Sequence, residues 1–158
     1  MQDLSKLLEV LLDNEIDFVL IGGFAAVVHG STLVTQDIDI CMSISDTSVE
    51  KLRAALKNFN PWHRMNKNAK LSFLEHPASL DGLNNIYLQT DLGILDVLSE
   101  TRPAGVFEAI KERSIEIPLY GHKCRVISID DLILVKESMN RPKDIQAVAE
   151  LKRIKEQG

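Results

Sequence analysis

The chain has 158 residues, 45% hydrophobic and 26% charged, which excludes disordered, collagen-like and coiled-coil classes and points to a single domain. Lys and Arg number 18 against 23 Asp and Glu, a formal charge of −5, so a general nucleic-acid coat is excluded, because phosphate contacts need a basic face. The longest uncharged apolar stretch, Phe18 to Val28, is far below the ~20 residues of a membrane span, and Met1-Gln2-Asp3 lacks the basic start of a signal peptide; a cytoplasmic protein with no membrane attachment is expected.

In chain order, Leu4, Leu7, Leu8, Leu11 and Leu12 share one face of a helix over 3–13. Residues 17–21 read as a buried strand running into Gly22-Gly23, and Phe24 to His29 as a short helix stopped by Gly30. Ile38, Ile40 and Met42 alternate with Asp37, Asp39 and Cys41, a strand of period 2. Thr47-x-x-Glu50 reads as a capping box opening a helix that Pro61 stops. Between Trp62 and Asn85 one strand at 70–75 and a loop over 77–84 are expected, followed by strands at 86–89 and 94–98 that turn near Asp91-Leu92-Gly93. Pro103 suits the first turn of a helix carrying Val106, Phe107 and Ile110. Strands at 115–119 and 123–127 flank Tyr120-Gly121-His122, and Ser128-x-x-Asp131 caps a helix to Met139. Pro142 starts the last helix, with Ile145, Val148 and Ile154 inward.

This order predicts an α+β (mixed α/β) domain over 1–158: a core of about 17–128 with a mixed central sheet flanked by helices, and C-terminal helices of about 129–156 packed alongside. Cys41 and Cys124 stand far apart with no CxxC, which suits buried thiols in a reducing compartment and gives no zinc site.

Three carboxylates sit on expected strands, where acidic residues are depleted. Asp37 and Asp39, two apart, project from one strand face while Ile38 and Ile40 enter the core. Such a pair is either the wet face of an edge strand or a site that repels itself until a hard divalent ion such as Mg²⁺ sits between the two. Asp96, in Ile94-Leu95-Asp96-Val97-Leu98, completes the site if its strand lies beside the first; an ionised carboxylate there is costly without a cation. Upstream, Gly22-Gly23 stands between a strand and a helix N-terminus, where free amides favour an anion and any Cβ would stand in a phosphate's way. His29 suits carbonyl capping, Ser31 has no triad partner, and Trp62 beside His63 and Arg64 reads either as a base-stacking group or as a partly buried tryptophan.

Gly22-Gly23, a short helix and then Asp37-Ile38-Asp39-Ile40 resemble the signature of the polymerase-beta-like nucleotidyltransferase superfamily, with Asp96 matching its third carboxylate. The likeness, over about residues 17–150, is closest to small stand-alone members, including the AbiE-type nucleotidyltransferase toxins of toxin–antitoxin systems. Thr35 fits that group, whereas Leu33 stands near the place of a basic residue; Lys136 and Arg141-Pro142-Lys143-Asp144 resemble the toxin branch's later elements. The resemblance implies Asp37, Asp39 and Asp96 as metal-ligating catalytic residues for Mg²⁺ or Mn²⁺. It implies Gly22, Gly23, Thr35, Lys136, Arg141, Lys143 and Asp144 as the nucleotide site. The activity implied is transfer of a nucleoside monophosphate from an NTP to a hydroxyl of a protein or RNA, tRNA included, with a cognate antitoxin as the expected partner of a toxin. From Asp130 onward six basic residues face six acidic ones, so composition does not argue for tRNA. Two other readings stay open: a catalytically degenerate member acting as a nucleotide- or partner-binding module, and a metal-dependent nuclease using the same carboxylates.

Overall fold

The structure, a computed structural model, describes residues 2–158. The leucine face of the first segment forms α1 (Leu4–Asp13), opened by the Asp3 side chain on the Lys6 amide, and buries Leu7, Leu8 and Leu11 completely. There follow β1 (Val19–Ile21), α2 (Gly22–His29), β2 (Asp37–Cys41) and α3 (Asp46–Leu56). The middle of the chain gives β3 (Trp62–His63), β4 (Asn85–Thr90), β5 (Gly93–Leu98), β6 (Glu100–Thr101), β7 (Gly105–Val106) and α4 (Phe107–Arg113). The end gives β8 (Ile115–Leu119), β9 (His122–Val126), α5 (Ile129–Met139) and α6 (Pro142–Gln157).

Seven strands make one mixed sheet in the order β3-β4-β5-β2-β1-β9-β8. β2 runs parallel to β5 and β1 parallel to β9; the remaining neighbours are antiparallel, including the expected hairpins β4–β5 and β8–β9. β2 and β5 are therefore central, and their apolar alternates Ile38, Ile40, Leu95 and Val97 are fully buried. The α+β class with a mixed, helix-flanked sheet stands, and α2 touches both C-terminal helices, α5 and α6.

Several local expectations are corrected. The box on α3 is built by Ser45 and Ser48, not by Thr47 and Glu50: Ser45 Oγ accepts from the Ser48 amide and Ser48 Oγ from the Ser45 amide. No strand spans 70–75; pairing there is one bridge between Trp62 and Ser72, and the segment hangs on Arg53, which donates to the carbonyls of Phe73 and Pro77. Pro103 lies in the turn of the small β6–β7 hairpin instead of on a helix, and α4 begins after it. Ile145 is 57% exposed; the inward face of α6 is carried by Asp144, Ala147 and Leu151, with Val148 and Ile154 half-buried beside it.

Candidate active site

The parallel register of β2 and β5 places Asp39 directly opposite Asp96 and Asp37 opposite Ile94. Register partners on neighbouring strands point to the same face, so the ladder that sinks Ile38, Ile40, Leu95 and Val97 into the core lifts the three aspartates out together. Their nearest oxygens all lie within 4.8 Å of one another. Burial, then the adjoining Asp37 and Asp96 carboxylates, push the Asp39 carboxyl up to about 7. Asp96 is also held above the usual carboxylate range by burial, with Arg64 pulling the other way.

Arg64, just past β3, binds Asp96 through both oxygens: Nε donates to Oδ1 at 3.2 Å and Nη2 to Oδ2 at 2.6 Å. The third carboxylate therefore has a cation within the chain. No spacing in the sequence ties Arg64 to Asp96. Trp62 is half-buried, with the Lys70 ammonium 4.8 Å from its ring.

Gly22 has φ +71, and a Cβ there would overlap the Asp39 carboxylate. A Cβ on Gly23 would stand 2.8 Å from Thr35 Oγ1. The two glycines thus make room for site side chains as well as exposing the amides of α2. Thr35 Oγ1 in turn donates to the Asp37 carbonyl at 3.2 Å, tying the loop before β2 to the strand.

α5 and α6 close the opposite side of a cleft of about 910 Å³, within the size of a small-molecule site. Lys136 reaches into it from α5 with a side chain only 14% exposed; burial draws its ammonium below the ordinary lysine range, against the pull of Asp144 and Asp39. Asp144 is 1% exposed and accepts from the Arg141 amide, Nε and Nη2, and Lys136 Nζ lies 4.0 Å away. Its oxygens are thereby taken: Asp144 holds Arg141 and Lys136 in place. Arg141 and the exposed Lys143 line the same cleft, as does half-buried Leu33. The ten residues that the family resemblance implies for metal and nucleotide all border this one space.

A clasp that the sequence did not reveal joins the two walls. Glu150 on α6 accepts from the Ser31 hydroxyl and from the Thr32 amide and hydroxyl, and these bonds hold its carboxyl below the usual range. His29 Nε2 donates to the Ile127 carbonyl at 2.7 Å, just past β9, instead of capping the carbonyls at the end of its own helix.

Among the described residues no helix is long and apolar enough to cross a membrane. The structure is similar to that of a lincosamide antibiotic adenylyltransferase, LnuA, solved with lincomycin bound, at a TM-score of 0.62 and 18% identity over 94% of both chains. It is also similar to the antibiotic-resistance factor ANT(2'')-Ia, at a TM-score of 0.57 and 14% identity over 94% of this chain and 78% of that one. At these identities the likeness shows a shared fold. None of the curated proteins matches the sequence. Residues 1–156 match the family described as "Nucleotidyltransferase of unknown function (DUF6036)". With the nucleotidyltransferase fold already evident in its sheet and cleft, the chain belongs to that nucleotidyltransferase family.

Proposed function

We propose that the protein transfers a nucleoside monophosphate from an NTP to an acceptor hydroxyl with release of pyrophosphate, using two divalent ions, Mg²⁺ or Mn²⁺, held by Asp37, Asp39 and Asp96. The observation that carries this reading is the placement of Asp39 opposite Asp96, with three carboxylates within 4.8 Å on one sheet face. The donor set fits such ions: hard oxygen ligands, an Asp39 carboxyl raised by burial and then by its acidic neighbours, and a Gly22 whose missing side chain leaves that carboxylate its space. When bound, the ions would supply positive charge to the attacking and leaving oxygens of the displacement.

The chain's own groups do the rest. Asp96, freed from Arg64 on at least one oxygen, accepts the proton of the acceptor hydroxyl. The amides of Gly22 and Gly23, at the start of α2, receive the triphosphate, and Thr35 keeps the neighbouring loop on β2. Lys136, Arg141 and Lys143 offset its charge across the cleft, and Asp144 fixes the first two of them.

Two acceptor classes have support. The likeness of residues 136–144 to the toxin branch favours a protein or RNA hydroxyl, with a cognate antitoxin as partner. The fold shared with antibiotic-modifying enzymes favours a hydroxyl on a small molecule. A second reading, a binding module without turnover, draws on one observation, the occupation of both Asp96 oxygens by Arg64.

Incubation with each α-³²P-labelled NTP and Mg²⁺, in the presence of cell RNA, cell protein or a hydroxylated small-molecule set, separates these readings. Label is expected on one acceptor class and is expected to vanish in Asp39→Asn. Nucleotide binding without label on any acceptor would establish the module, and loss of polymer length would establish the nuclease.

A further inference from the structure

The three carboxylates of the cleft are not equivalent. Among the described residues, only Arg64 forms an ion pair with one of them, and it takes Asp96 by both oxygens. Arg64 is held at two further points. The Arg64 amide donates to the Tyr87 carbonyl at 3.2 Å, and the guanidinium carbon lies 5.4 Å from the centre of the Tyr87 ring. Tyr87 is itself the register partner of Asp96 across β4 and β5, so backbone, ring and carboxylate fix one another. Asp37 has only a long contact with Thr35 Oγ1, at 3.5 Å, and lies open on the cleft.

A guanidinium on both oxygens of a carboxylate and a divalent ion on the same carboxylate repel each other, the more so where the carboxylate is largely buried. We propose that Arg64 is a positioning residue that stands in for a second divalent ion at Asp96 while the nucleotide is absent. The cleft then takes one ion, at Asp37 and Asp39. It takes another at Asp96 only when the phosphates bring enough negative charge to draw Arg64 off. The order of loading is thus built into the chain, and Asp96 is kept from acting as a base until a nucleotide is present. This rests on the metal reading of the triad made above.

The test counts ions and needs no turnover. Nucleotide-free protein is titrated with Mn²⁺ and free Mn²⁺ is read by electron paramagnetic resonance. Wild type is expected to bind one Mn²⁺ per chain. Arg64→Met is expected to bind a second, or to bind it at least about tenfold more tightly than wild type does. Arg64→Gln, which keeps a hydrogen-bond donor without the charge, is measured alongside, and whichever uncharged variant is folded by circular dichroism decides. Arg64→Lys, which keeps the charge, is expected to bind one ion as wild type does. Adding Asp96→Asn to the uncharged variant is expected to remove the gained ion. Equal number and affinity in wild type and the uncharged variant would overturn the role of Arg64 alone. So would two tight ions in wild type. No Mn²⁺ on either protein would overturn the metal reading of the triad and this proposal with it.

Discussion

Asp39 carries a large electrostatic tension, and its direction makes a pH test. Its carboxyl is raised from 3.8 to about 7, chiefly by burial and then by Asp37 and Asp96. The folded chain therefore keeps a proton that the unfolded chain has released over that interval. Stability from this group is fully present below about pH 4 and is lost as pH climbs through about 7. A cation between the carboxylates relieves the same repulsion only when they are ionised. The melting temperature in EDTA is expected to fall between pH 5 and pH 8, and the gain from added Mg²⁺ to be larger at pH 8. Calorimetry at both pH values checks this, and an equal Mg²⁺ gain at the two would remove Asp39 as the cause. The proposed role of Arg64 belongs to this scale too, and it was the residue least visible beforehand: an arginine in a loop gives no periodic sign of the strand it will meet.

At the scale of elements, the junction of α5 and α6 turns on Asp144. It caps the start of α6 through Arg141 and lies beside Lys136 on α5, all from a buried position. Asp144→Asn keeps the shape, loses the charge-assisted bonds and is expected to cost about 1 kcal/mol of stability, typical of a weakened cap. Nucleotide affinity is expected to fall further than that cost alone predicts, because two cations lose their anchor at once; chemical denaturation and calorimetric binding measure the two separately. The elements legible in the sequence were those whose pattern is local: the leucine face of α1, the alternation on β2, the Ser128 cap of α5. The aspartates and glycines of the site were legible for the same reason, since each sits at a fixed step on a strand or turn. What resisted was the segment between β3 and β4, where Arg53 bonds to distant carbonyls replace any repeating pattern, and the Glu150 clasp, whose partners lie on α6 and in the loop after α2. Ile145 misled because apolar spacing continues onto the solvent side of α6.

For the molecule as a whole, Cys41 and Cys124 are reporters of sheet integrity. They lie on β2 and β9, on either side of β1, both fully buried, and burial pushes their thiols up to about 12 and about 11. Neither is expected to react with a thiol reagent in the native state, since thiolate and access are both lacking. Labelling is expected to proceed only at the rate of global opening and to slow when Mg²⁺ and nucleotide are bound; mass spectrometry of the labelled peptides checks this. Fast labelling of Cys41 alone would mean that β2 opens by itself. The two walls of the cleft also have a history. Its three carboxylates all precede β6 in the chain, whereas Lys136, Arg141 and Lys143 come from α5, the start of α6 and the turn between them. During synthesis the acidic floor therefore leaves the ribosome well before the cations that face it. On the proposed function, a growing chain has the three carboxylates but lacks the far wall that would face a triphosphate until α6 has emerged and docked.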